Sequence, residues 1–471
     1  MTTVEELSQL FAAQKTAFAA SPFPTANTRI ENLEKLRLGL LAHQEALIKA
    51  IDEDFGRRSA DETRLAELLP SVEGIRYAQK RIKRWMRPSR RKVGTAFQPA
   101  RARVEYQPLG VVGIIVPWNY PLYLAIGPLV AALSAGNRVL IKMSEFTPAT
   151  AAAIQELIAE CFTPGEVSVV TGDVDIGQAF SELPFDHLLF TGGTNIGRHV
   201  MQAAAKNLTP VTLELGGKSP AIIGNSRYCD LPAAAERIAF AKALNAGQTC
   251  VAPDYILCPR EQVDELIAEL KTAFKNLYPS LQNNPDYSWI INQRQFDRLH
   301  SVLQDAISRG ADVHVVNPKN ETFTGSRLIP PTIVNQVNSD MKIMQDEIFG
   351  PILPIVAYDN FDQALKHIRG NDRPLALYYF GDDQVERQQV LESTHSGGVC
   401  FNEAVFHVAQ DDLPFGGVGA SGMGRYHGDE GFLTFSNARA VLSKGKLNSA
   451  KLIYPPYGGK LLGMIYKLFI R

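Results

Sequence analysis

Between residues 111 and 215 short apolar runs alternate with amphipathic stretches. The runs at 111–116, 138–142, 166–171, 187–191 and 210–215 have the length and composition of buried strands. The stretches between them, 122–134, 148–162, 174–183 and 195–207, have the pattern of helices. Such alternation predicts a parallel, doubly wound sheet. Ahead of it, residues 1 to about 87 read as three helices, with charged and apolar positions mixed at helical spacing through Ile30 to Phe55 and Glu62 to Met86. Behind it, from about Lys218 to Asn402, a second α/β unit is expected, with helices near 232–245, 261–276, 294–309 and 361–369 and strands near 254–258, 312–316 and 352–357.

Composition narrows the setting. A chain of 471 residues, 45% apolar, can build two or three domains with sizeable cores. A net charge of −1 argues against bulk binding to nucleic acid. The basic residues Lys80, Arg81, Lys83, Arg84, Arg87, Arg90, Arg91 and Lys92 read as a solvated helix end, where cations also favour the negative end of the helix dipole. Five cysteines, at 161, 229, 250, 258 and 400, show no zinc-type spacing and make an odd count for a disulfide framework. No metal and a reducing cytoplasm are therefore expected. The first residues lack the basic-then-apolar pattern of a secretory leader, and no run of about 20 apolar residues exists to span a bilayer.

Candidate chemistry sits at the ends of the predicted strands. Gly247-Gln248-Thr249-Cys250 offers a thiol between a residue that permits a tight turn and polar neighbours that suit presentation to a ligand. Glu214 ends an apolar run and meets two glycines, where a carboxylate can face a cavity and act on water. Taken alone, these two fit a buried structural cysteine and a surface glutamate equally well. Pro117-Trp118-Asn119-Tyr120-Pro121 breaks the first strand abruptly, and the Asn119 amide could stabilise an oxyanion, although an asparagine between prolines is more often a turn residue. Lys142 and Glu145 follow the second strand, an ordinary place for surface charges. Gly192-Gly193-Thr194-Asn195-Ile196-Gly197 opens a helix whose amino end can face a phosphate, but it is not the dinucleotide fingerprint. Glu347 and Phe349 share one face if their segment is extended.

Pro117 to Pro121, Leu213 to Pro220, Gly247 to Cys250 and Glu347 to Pro351, in this order, resemble the aldehyde dehydrogenase superfamily from about residue 25 to about residue 445. Leu413 to Gly424, followed by Tyr426-His427-Gly428, looks like the dimeric, class 3-like branch. Val104 to Gly110 and Asn284-Pro285-Asp286-Tyr287 look most like bacterial coniferyl aldehyde dehydrogenases. The resemblance implies an α/β fold with a Rossmann-type cofactor domain, an α/β catalytic domain and a β oligomerisation arm. The expected boundaries are 1–216 with 403–432 for the NAD-binding domain, its N-terminal helices filling 1–87. The catalytic domain takes 217–402, the arm 98–107 with 433–446, and a tail 447–471.

The same resemblance implies roles. Cys250 is the nucleophile, Glu214 the base that hydrolyses a thioester, and Asn119, with the Cys250 backbone N–H, the oxyanion hole. Pro117, Trp118, Lys142, Glu145, Gly192, Gly193, Gly197, Leu215, Glu347 and Phe349 are expected to contact NAD, with NADP as the alternative; the serine common in the family at the position of Gly193 is absent. Glu214 favours a free acid as product over an acyl-CoA. A thiol esterase would leave the cofactor positions without a task, and a non-catalytic binder would not need Cys250, Glu214 and Asn119 together. Trp118, Tyr120, Tyr123, Phe401, Phe406 and His407 are candidates for an aromatic pocket suited to a phenylpropenal such as coniferaldehyde. The apolar, basic run Gly459 to Arg471 raises the rival of a long aliphatic aldehyde, with the tail in a membrane interface; docking on the partner of a homodimer is the plainer reading.

Overall fold

The computed structural model describes every residue except 1, 95, 96, 225–228, 447, 449, 450, 452 and 471. Three sheets organise the chain. The first has six strands in the order Gly422–Met423, Val211–Leu215, His187–Gly192, Val111–Ile115, Arg138–Lys142, Val167–Val170. All pair in parallel except Gly422–Met423, which runs antiparallel and sets Gly422 opposite Glu214. Both neighbours of Val111–Ile115 come later in the chain, one on each side, so the strand order reverses there. A doubly wound sheet opens its ligand crevice at such a point, beyond the carboxyl ends of the strands. Pro117 and Gly192 follow or end the two strands that flank it.

The second sheet has seven strands: Asp312–Val315, Thr332–Asn335, Ile352–Tyr358, Tyr255–Pro259, Pro220–Ile223, Ala376–Phe380 and Gly398–Phe401. Only the edge strand Asp312–Val315 is antiparallel. Four of these strands and the helix Gln384–Ser393 had no counterpart in the sequence reading, because runs of four or five residues carry too little periodicity to stand out. The third sheet joins Ser89–Arg91, Arg101–Pro108 and Ser436–Ser443 antiparallel, and the last two strands pair along their whole length.

The N-terminal region departs from three helices. The expected continuous helix through Ile30 to Phe55 breaks at His43 into Ala26–Ala42 and Gln44–Phe55. Gly56, in the left-handed region at φ 75°, ends the second piece. From Ala60 to Trp85 the helix continues through a π turn at Arg64–Leu68. Leu33, Leu36 and Leu40 are fully buried in the same core as Ile154 and Leu157 of Pro148–Cys161. The basic cluster is partly internal: Arg84 pairs with Asp429 at 2.7 Å, and the Arg81 guanidinium lies 3.5 Å over the Tyr77 ring. The tail forms a helix, Lys460–Phe469, that buries Leu462 and exposes Met464, Leu468 and Phe469; Arg471 lies outside the described residues. Among the described residues no helix is long and apolar enough to cross a membrane.

Candidate active site

One cleft collects most of the singled-out residues. Pro117, Trp118, Asn119, Gly192, Gly193, Glu214, Leu215, Cys250, Glu347 and Phe349 line it, together with Thr191, Gly216, Gln295 and Arg298. Lys142 and Glu145 stand at the end of the next strand. Lys142 Nζ donates to the carbonyls of Met143 and Gly172, both at 2.8 Å, with Glu145 3.9 Å away. Gly197 faces Leu215, and a Cβ there would lie 2.7 Å from Leu215 Cδ2, so its place is the helix–sheet contact.

The thiol loop is built from an unusual backbone. Asn245, Ala246 and Gly247 are all left-handed, with φ of 52°, 50° and 74°. Two of these residues carry a Cβ, a strained arrangement of the kind that clusters at functional sites. Gly247 is required twice over, since a Cβ would also meet the Gly350 carbonyl oxygen at 2.3 Å. This close approach sets the Cys250 loop against the Phe349 loop. Gln248 and Thr249 were expected to face a ligand, and the structure corrects that. Gln248 is fully buried and spends its amide on the carbonyls of Asn245 and Trp289 and on the Ile291 N–H, at 2.9, 3.0 and 2.9 Å. Thr249 Oγ1 lies 2.7 Å from the Tyr120 hydroxyl. Both polar side chains hold the loop in shape, and the thiol alone faces the cleft.

Asn119 is fixed from behind. Its carbonyl accepts from Arg58 Nη1 at 3.0 Å and Asn245 Nδ2 at 2.9 Å. Its own Nδ2 donates to the Gln248 carbonyl at 3.2 Å, which leaves the second amide hydrogen for a ligand. Arg58 is buried between Glu62 and Glu67, at 3.1 and 3.5 Å. Glu67 in turn accepts the N–H groups of Leu122 and Tyr123 at 2.8 and 3.1 Å. Burial pushes Glu67 up to about 7 against the pull of Arg58. This ion-paired cluster, seated on the π turn, was missed from sequence. So were Lys218 and Asp254, which pair with each other and hold the Glu347 segment: Lys218 Nζ donates to the carbonyls of Ile343 and Asp346, and Asp254 Oδ1 accepts the Ile348 N–H at 2.8 Å. Arg298 adds a bond from Nη2 to the Ile348 carbonyl at 2.6 Å. Only Lys218 carried a signal, its place in the Leu213 to Pro220 motif.

The cleft disfavours charge at its centre. Burial, reinforced by Glu347 and Glu214, pushes the Cys250 thiol up to about 12. Burial lifts Glu214 well above the carboxylate range, opposed by Arg425, and neither of its oxygens has a hydrogen-bond partner in the structure described. Burial, with Asp254 close by, pushes Glu347 up to about 8. Two carboxyls and a thiol thus share an enclosed space in their neutral forms, and a cationic ligand group would draw all three toward ionisation.

The features that would hold a dinucleotide are present. Thr194–Ala205 begins at Gly193 with no side-chain cap, so its first N–H groups are free for an anion, and nothing lies within 4 Å of where a Gly193 Cβ would be. Thr191 Oγ1 is buried in the same crevice without a partner in the structure described. Trp118 and Phe349 meet edge to face at 5.3 Å, with Phe349 at φ 51°. The aromatic set expected for substrate is dispersed. Trp118 lies on this side, Tyr120 backs the thiol loop, and Phe401 packs on Tyr379. Phe406 stacks on Phe240, while Tyr123 lines a different cavity.

Comparison with known proteins agrees with this geometry. The model of the aldehyde dehydrogenase family matches residues 1–441. A Pseudomonas aeruginosa protein named "Probable coniferyl aldehyde dehydrogenase" is 57% identical over 468 residues, covering 99% of this chain and 97% of that one. The substrate-bound structure of Staphylococcus aureus AldH superposes with a TM-score of 0.93 at 38% identity, covering all of both chains. The Mycobacterium tuberculosis aldehyde dehydrogenase complexed with NAD+ gives 0.86 at 30% identity, covering 95% of this chain and 92% of that one. The chain belongs to the aldehyde dehydrogenase family and is an NAD(P)-dependent oxidoreductase of aldehydes.

Proposed function

We propose that this protein oxidises an aromatic aldehyde of the coniferyl type to its carboxylic acid, with Cys250 as nucleophile, Asn119 and the Cys250 N–H as oxyanion hole and Glu214 as base. The observation that carries the reading is the convergence of all three side chains on one cleft. Bound NAD supplies the hydride acceptor, and NADP is the alternative. Pro117, Trp118, Gly192, Gly193, Leu215, Glu347 and Phe349 would hold the cofactor within the cleft, with Lys142, Glu145 and Gly197 at its margin. Cys250 adds to the aldehyde carbonyl, and the oxyanion takes the free Asn119 amide hydrogen, a donor of a kind worth about 3–4 kcal/mol. After the carbon loses hydride, Cys250 holds the acyl group as a thioester. Glu214 then removes a proton from water, which releases the acid and restores the thiol. The buried, unpartnered carboxyl suits that task, because nothing on the protein competes for the proton it takes.

The expected domain boundaries remain our reading of the chain: 1–216 with 403–432 for the cofactor, 217–402 for catalysis, and 98–107 with 433–446 as an arm for a homodimer in the cytoplasm. The paired ribbon of Arg101–Pro108 and Ser436–Ser443, largely solvent-facing, supports the arm. A second reading, a medium- or long-chain fatty aldehyde taken from a membrane surface, is favoured by the exposed apolar side of Lys460–Phe469. The deciding experiment measures NADH formation with coniferaldehyde and a long-chain alkanal, using Cys250→Ala as blank and a chain lacking 459–471. A higher kcat/KM for coniferaldehyde, unaffected by the deletion, supports the aromatic reading. The opposite ranking, lost on deletion, supports the second.

A further inference from the structure

A second cavity lies among Leu69–Trp85, Tyr123–Ala135 and the turn entering Gly428–Thr434. Tyr77, Tyr123, Asp411 and His427 stand on its wall. His427 is 8% exposed and stacks on Phe415, with ring centroids 5.2 Å apart at 21°. Its Nε2 lies 3.3 Å from the Tyr123 hydroxyl, a long contact, and its Nδ1 is buried with no partner in the structure described. Leaving a buried polar group unpaired costs about 1–3 kcal/mol. The residue is also strained, since its φ is 121° although it is not glycine. Burial pushes this imidazole down to about 4. At neutral pH it is therefore uncharged, with one nitrogen to donate and one to accept.

The cavity wall is tied to the reaction centre through chain neighbours. Tyr426, next to His427, is buried close enough to Cys250 and Glu214 for their charges to raise its hydroxyl. Tyr120, three residues before Tyr123, holds Thr249 beside the thiol. An aldehyde bonded to Cys250 thus has a polar pair ahead of its far end, set among aromatic rings. An alkyl chain there would leave Nδ1 unpaired. A phenol pairs it by donating its O–H, while its oxygen accepts from the Tyr123 hydroxyl.

We propose that this cavity is the ring subsite, in which Tyr123 and His427 hydrogen-bond the ring hydroxyl of a 4-hydroxylated aromatic aldehyde. The proposal rests on the reading that Cys250 oxidises such aldehydes. The test compares kcat/KM for coniferaldehyde and for cinnamaldehyde, which lacks the ring hydroxyl, in the full-length enzyme and in Tyr123→Phe, His427→Phe and His427→Gln. The unaltered enzyme should prefer the hydroxylated substrate by about 10- to 100-fold. The ratio should fall toward one in Tyr123→Phe and His427→Phe and recover in part in His427→Gln. Because the readout is a ratio within each variant, a general loss of fold or activity does not mimic it, and Tyr123→Phe keeps the ring if the histidine variants do not fold. A ratio near one in the unaltered enzyme, or one unchanged in Tyr123→Phe and His427→Phe, overturns the subsite while leaving aldehyde oxidation standing. NADH from an alkanal but from neither aromatic aldehyde overturns the underlying reading and the subsite with it.

Discussion

Replacing Gly247 with alanine adds one methyl group where the thiol loop crosses the Phe349 loop. That methyl would stand 2.3 Å from the Gly350 carbonyl oxygen and 3.1 Å from that of Lys242, both backbone atoms. Gly350 has no room to retreat, since the space beside its own Cα is filled by Leu299 Cδ1 at 2.6 Å. Forcing alanine to a φ of 74° costs about 1–2 kcal/mol, and overpacking adds about 1–3 kcal/mol. The expected destabilisation is therefore about 2–5 kcal/mol. Part of it is relieved by moving the loop, and a shift approaching 1 Å at a reacting atom costs about 10²-fold in rate. Gly177 provides the contrast: it lies inside Val174–Ser181 with nothing within 4 Å of a Cβ, so Gly177→Ala should stabilise by about 0.5–1 kcal/mol. Thermal midpoints and NADH formation report both effects. If Gly247→Ala kept the unaltered midpoint and kcat/KM, the packing argument for the thiol loop would be wrong.

Glu214→Gln should give a stoichiometric burst of NADH followed by slow turnover, because deacylation loses its base while hydride transfer does not; an equal fall in both phases would remove Glu214 from that role. In the cofactor-free enzyme the Cys250 thiol is raised from the ordinary 9.0 to about 12, so its thiolate at pH 7 is reduced about a thousandfold. Since only the thiolate reacts, alkylation by iodoacetamide should climb about tenfold per pH unit from 7 to 10 without levelling, and a plateau near pH 9 would contradict the burial that drives the shift. Glu145→Ala should weaken NAD binding more than NADP binding by isothermal titration, and unchanged relative affinities would mean that the ribose contact lies elsewhere.

The cofactor sheet was legible because its strands are buried on both faces and read as continuous apolar runs, as at Val111 to Val116. The second sheet was half legible. Pro220–Ile223 and Gly398–Phe401 are four residues each and take their strand character from neighbours far along the chain. Site chemistry was readable wherever a motif is compact, as in Gly247 to Cys250. The supports were not, since Arg58 meets Asn119 across 61 positions and Lys218 reaches Ile343 across 125. Gln248 shows the opposite error: a polar residue beside a nucleophile suggests a ligand, yet here it satisfies three buried backbone groups.

The short strand Gly422–Met423, which borders Glu214, has a consequence for how the protein comes into being. Synthesis delivers Asn119, Glu214 and Cys250 early, but the strand that closes the edge beside the base arrives about 200 residues after Glu214. Pairing over such a separation is slow, and a nascent chain holds its C-terminal segment back until release. The residues of the reaction would therefore exist on the ribosome without a working enzyme. Shortening the chain before residue 422 would leave the nucleophile and base encoded but the sheet edge beside Glu214 open to water.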